Sequence, residues 1–326
     1  MPSWWVGGYG PDMGGDTGGI GLARQRDDGA LEYVGVVAEV ASPSFLLRHR
    51  EHLFAATEGT GTIESFLVPG LEPDGAVSSG GNSPCQLTVV GDLLVAANYS
   101  DGALGVVALR PDGSLGGPVA TIPGTGSGPR PEQDGPHAHA SLKLDDSTFL
   151  SLDLGADSIH LHGISGGEVR RTATVTLPPG TGPRDVTRHP SGQILVLGEF
   201  GGELLAFDWA GGMLQLVSST PLPGHATDDQ AAGIAPWGDF VYLGLRGSNR
   251  ISVLRLGADG RSFEAVGWVS CEGDWPRHLV AADGILHVAN QRSGSLASFA
   301  LGSDGMPALI APPTAAPTPT YLLPVG

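Results

Sequence analysis

Lysine is almost missing from this chain. Lys143 stands alone beside sixteen arginines, and 34 acidic residues leave a formal charge of −17. So negative a protein is repelled by nucleic acid and by anionic membrane surfaces, so neither is expected as a partner. Cysteine is scarce too: Cys85 and Cys271 make no disulfide framework and read as free thiols in a reducing compartment, which points to the cytoplasm. No apolar run is long enough for a transmembrane helix. The start, MPSWWVGG, lacks the basic region and apolar stretch of a secretory signal. There is no Gly-x-Ser-x-Gly elbow, no P-loop, and no glycine fingerprint between a strand and a helix.

Turn residues are abundant instead. Glycine and proline number 52 and 26 of 326 residues, so frequent turns are expected and long helices are not. One phrase recurs seven times: Pro, a strand, a tight turn, a strand, a glycine-rich turn, a strand. It starts at Pro43, Pro84, Pro136, Pro183, Pro276 and Pro319, with Gln230-Ala231 in that place in one copy. The step of about 41 to 52 residues is that of propeller blades. In the copy from Pro183, strands are expected over 184–188, 193–199, 204–209 and 214–218, the second apolar enough to be buried on both faces. The copy from Pro319 runs out after one strand. The segments WWVGGY from Trp4 and GIGLA from Gly19 supply what it lacks. Strands with turns at this rhythm also suit a sandwich, but circular completion favours a ring. The expected fold is all-β: one seven-bladed β-propeller domain over residues 1–326, with four-stranded antiparallel blades and N-terminal strands completing the last blade. The segment 121–135, TIPGTGSGPRPEQDG, is expected as a surface loop over one face.

The first two strands of a blade are antiparallel neighbours, so the start of the first and the end of the second share one mouth of the ring. The starts offer Ser44, Cys85, Gln86, His137, His139, Arg184, Gln230 and Arg277. The ends offer Glu58, Tyr99, Leu154, Glu199, Arg246 and Gln291. Three arginines, two histidines and carboxylates thus meet in one funnel of an otherwise acidic chain. An Arg184–Glu199 ion pair that only holds the blade is an equal alternative for those two residues. His137 and His139 are two apart and share a face if the strand is regular, but no third metal ligand can be placed beside them. His189 belongs to a hairpin turn, and His160 and His162 to a third strand away from the axis.

The runs from Gly135 (GPHAHASLKLDD) and Leu177 (LPPGTGPRDVTRHPSG), with QAAGI from Gln230, WPRH from Trp275 and ANQR from Ala289, resemble the lactonase-family seven-bladed propellers. Bacterial 6-phosphogluconolactonases and fungal carboxymuconate cyclases belong to that group. The resemblance implies hydrolysis of a sugar δ-lactone, with 6-phosphogluconolactone of the pentose phosphate pathway as first candidate. It implies catalytic roles for His139, Glu199 and Arg184, with substrate held by His137, Arg277, Arg246, Gln291 and Gln86. Counting back from the hairpin turn aligns His139, rather than His137, with Arg184. No cofactor or metal is called for, and the expected partner is a small anionic sugar lactone. The oligomeric state is left open, with a monomer favoured. A lactonising cyclase, or a propeller that binds without catalysis, are the other readings. Gln86 and Gly233 stand where relatives often carry histidine and an acidic residue.

Overall fold

The computed structural model describes residues 2–326. Its strands form seven antiparallel sheets of four consecutive strands, one per blade, with a short extra strand in blade 6. Blades 1 to 6 begin with the innermost strands Pro43–His49, Pro84–Val90, Ala138–Lys143, Pro183–Arg188, Gln230–Trp237 and Pro276–Ala282. Blade 7 takes its innermost strand, Pro319–Pro324, from the C-terminus and its next three, Ser3–Gly8, Gly19–Gln25 and Leu31–Glu39, from the N-terminus. Helical structure among the described residues is limited to two 3-10 turns, Pro11–Met13 and Pro131–Gln133. None is long and apolar enough to cross a membrane.

Each second strand is almost wholly buried, as for His52–Thr57 and Leu93–Asn98, because a blade is covered by neighbours on both faces. Outer strands such as Leu31–Glu39 alternate in exposure, one face against a neighbour and one in water. Seven apolar clusters result, one at each junction between blades. The seam is closed in the same way. Trp4 and Val6 pack with Ala289 and Leu296 of blade 6, and Trp5 and Ile20 with Leu46 and Leu53 of blade 1.

One irregularity repeats around the ring. In every innermost strand the register skips a single residue: Ser44, Cys85, His139, Arg184, Gly233, Arg277 and Thr320. These are β-bulges, which oppose two residues to one and re-aim side chains. Five of the seven follow a proline directly, and the residue before that proline has a left-handed backbone: Ser42, Ser83, Gly182, Trp275 and Thr318. The bulge corrects two repeat starts. Ala138 and Ala232, not Pro136 and Gln230-Ala231, take the place of the proline, because blades 3 and 5 reach the axis two residues later. It also separates His137 from His139, since the strand between them is not regular. The loop expected over 121–135 starts later, the outer strand of blade 2 running to Ile122. Its Gln133 is fully buried and donates to the Leu154 carbonyl and to Asp157, fixing the loop at the mouth.

Candidate active site

The seven bulge residues form a waist on the axis. Above it is a mouth cavity of about 170 Å³ and below it a chamber of about 220 Å³. Cys85, His139, Arg184 and Arg277 line both. The mouth is completed by Tyr9, Glu58, Tyr99, Glu199, Phe200, Gln230 and Arg246, with Glu132 reaching in from the loop.

Glu199 is the hinge of one cluster. It follows Gly198, the partner of Pro183, so the bulge puts Arg184 beside it. Arg184 Nη1 donates to Glu199 Oε2 at 2.7 Å, and Arg246 Nη2 lies 2.8 Å from the same oxygen, off the line of a hydrogen bond. All three side chains are at most 8% exposed. Burial alone would raise the Glu199 carboxyl, but Arg246 and Arg184 outweigh it and hold it below the usual glutamate value. Burial and the facing Arg184 charge pull Arg246 down to about 9, so it remains charged at neutral pH. Arg246 Nε donates to the Gln230 carbonyl at 2.9 Å, and its guanidinium lies 5.2 Å from the Trp275 ring centre.

The second cluster spans the seam. Arg277 Nη2 donates to the Tyr9 hydroxyl at 2.7 Å, and that hydroxyl donates to Glu58 Oε2 at 2.9 Å. Arg277 Nη1 donates to Gln291 Oε1 at 3.2 Å, and its guanidinium lies 4.7 Å from the Tyr9 ring centre.

Between the clusters stands His139. Burial, then Arg184, Arg277 and Arg246, push its imidazole well below the ordinary histidine value, so it is neutral at pH 7. Cys85 is no rival nucleophile: burial drives its thiol upward, and its sulfur sits 3.4 Å from the His139 carbonyl as a weak donor.

His139, Arg184, Glu199, Arg246 and Arg277 therefore come together. His137 does not join them: its ring stacks on Tyr99 at 4.5 Å, with Nδ1 2.8 Å from the Tyr99 carbonyl. Gln291 touches Arg277 rather than the cavity. Gln86 lies below the waist, its amide engaged with Thr88 and Ser141 through both nitrogen donors and its oxygen. Among the described residues no three His, Cys, Asp or Glu side chains are grouped to hold a metal ion. Sequence reading left Tyr9 out of the site. Tyr9 follows Gly8, the partner of Pro319, as Glu199 follows Gly198, so counting through the seam would have found it. Glu132 had no such signal, being in a loop without a repeat equivalent.

The family model for the seven-bladed β-propeller Lactonase matches residues 3–324. A 6-phosphogluconolactonase of Bacillus subtilis is 26% identical over 315 residues, 90% of each chain. A solved protein of Bacteroides fragilis, provisionally assigned as a 6-phosphogluconolactonase, superposes with a TM-score of 0.91 at 25% identity, covering 100% of this chain and 98% of the other. The periplasmic gluconolactonase of Pseudomonas aeruginosa shares the fold, with a TM-score of 0.90 at 24% identity over 100% and 99% of the two chains. With the match running through every blade that contributes to the waist, the chain belongs to the seven-bladed β-propeller lactonases.

Proposed function

We propose that this lactonase hydrolyses a sugar δ-lactone, with 6-phosphogluconolactone as first substrate and a cytoplasmic place in the pentose phosphate pathway. The observation that carries the reading is a neutral imidazole at a waist surrounded by three buried or half-buried guanidinium groups.

Hydrolysis needs a water made nucleophilic, a seat for the negative oxygen, and a proton for the leaving alkoxide. His139 takes a proton from water as the hydroxyl adds to the lactone carbonyl. The carbonyl electron pair moves onto oxygen, where Arg184, oriented by Glu199, stabilises the charge. The ring C–O bond then breaks, and the imidazolium returns its proton to the departing oxygen. Arg277 and Arg246 hold the anionic group of the substrate. Glu199, held ionised between two cations, is suited to fix their geometry rather than to carry a proton.

Turnover of 6-phosphogluconolactone and of the unphosphorylated lactone tests this. His139→Ala should lower kcat by about 10²–10⁴, and Glu199→Ala should also lower it by misplacing Arg184. Full activity in both variants would remove the assigned roles.

A further inference from the structure

Below the waist, the chamber is walled by the residue after each bulge: Phe45, Gln86, Ala140, Asp185, Ile234, His278 and Tyr321. A bulge turns consecutive side chains toward one side, so each innermost strand contributes to both the waist and this wall. The mechanism above uses none of the wall residues.

We propose that the chamber is a second subsite, taking the uncharged, hydroxyl-bearing arm of the substrate. This rests on the lactonase reading. Opening a lactone turns a compact ring into an extended chain, with carboxyl and released hydroxyl at separate points. The mouth is small and crowded with charge, while the chamber opens from the same four residues that line the reacting centre. A chain whose carboxyl carbon stays at His139 and Arg184 reaches both sides of the waist.

The wall chemistry selects the occupant. Phe45, Tyr321 and His278 form a continuous aromatic surface, with ring centres 4.3 and 4.0 Å apart, suited to the C–H faces of a carbon chain. The Tyr321 and Thr187 hydroxyls have no protein hydrogen-bond partner among the described residues. The two wall groups that the waist arginines could draw into charge pairing, Asp185 and His278, are already engaged. Asp185 accepts from the backbone N–H groups of Val186 at 2.8 Å and Ile234 at 3.1 Å. His278 Nδ1 accepts from the Leu322 N–H at 3.2 Å, and burial holds the ring neutral, at about 3. Free hydroxyls beside aromatic faces, with the arginines confined to the waist and the one wall carboxylate tied to backbone N–H groups, fit a neutral polyol. A phosphate belongs at the mouth, with the arginines.

The test compares glucono-δ-lactone with δ-valerolactone, which has the same six-membered ring and no hydroxyls. Tyr321→Phe removes one hydroxyl, and Ile234→Trp fills the chamber. Tyr321→Phe should cut kcat/KM for glucono-δ-lactone about tenfold, the scale of one hydrogen bond, Ile234→Trp should cut it at least as much by exclusion, and both should leave δ-valerolactone unchanged. Equal effects on the two lactones, or none on either, would overturn the subsite. Thermal melting identifies a misfolded variant, and Tyr321→Phe, which removes one atom, decides if Ile234→Trp fails to fold. If the wild type opens neither of these nor 6-phosphogluconolactone, the lactonase reading fails by itself. Calorimetry with gluconate then decides the subsite: weaker binding by Tyr321→Phe supports it, and unchanged binding ends it.

Discussion

Arg184 and Arg277 occupy the same bulge position in blades 4 and 6, yet they are held in opposite ways. Arg184 shares a carboxylate with a second arginine, and the group is buried, with side chains 5% to 8% exposed. Arg277 is 17% exposed and is held by neutral acceptors, the Tyr9 phenol and the Gln291 amide, with Glu58 at 3.9 Å behind the phenol. Two cations against one buried anion leave the first cluster with an uncompensated positive charge beside His139. Such a group costs desolvation and is weak evidence for stability. Its use is a fixed field where a negative oxygen would form. The second cluster can move its guanidinium with less electrostatic consequence, as suits a residue that grips a substrate.

The sharpest way to break this contrast is to neutralise each carboxylate. Glu199→Gln leaves Arg184 and Arg246 facing each other without compensation and should destabilise the fold by about 3–5 kcal/mol. Glu58→Gln changes a group that touches a phenol and should cost about 1–2 kcal/mol. Urea unfolding measures both. Equal losses would mean that the clusters are equivalent.

Much of the first cluster was legible because it lies inside one repeat: Arg184 follows Pro183 as Arg277 follows Pro276, and Glu199 and Gln291 each follow the residue paired with that proline. Ring closure was legible because Pro319 begins a strand with no successor. Less could be read where strand regularity fails. His137 and His139 share a face on a regular strand, but a bulge at His139 sends them to different surroundings. A bulge has no composition of its own in a single copy, and only the sevenfold skip makes it visible. Gln86 stands beside a bulge residue, and its distance from the mouth comes from the layer below the waist. Gly233 is the bulge residue of blade 5, with φ of +72°, and a Cβ there would approach Leu279 Cδ1 to 3.0 Å. The departure at Gly233 is therefore suited to this backbone.

Tyr9 tests whether the seam does more than close the ring. Tyr9→Phe keeps the packing and removes the hydroxyl that accepts from Arg277 and donates to Glu58. Expected are a stability loss of about 1–2 kcal/mol and a rise in KM for a phosphorylated lactone of about tenfold, with kcat less affected. Unchanged kinetics would reduce Tyr9 to a structural closure residue and leave Arg277 held by Gln291 alone.

The finest test reads both clusters through His139. Activity needs the neutral imidazole, so kcat/KM should fall as pH drops through the pKa of His139 in the free enzyme, well below the ordinary value of about 6.5. After burial, Arg184 depresses it most, then Arg277, then Arg246. Removing a cation makes protonation easier and moves the acid limb upward. With an uncharged lactone, Arg277→Gln should move it up by more than Arg246→Gln, because the Arg277 charge acts on the imidazole more strongly than the Arg246 charge does. A limb that moves more for Arg246→Gln would reverse that order and the division of labour drawn between the two clusters.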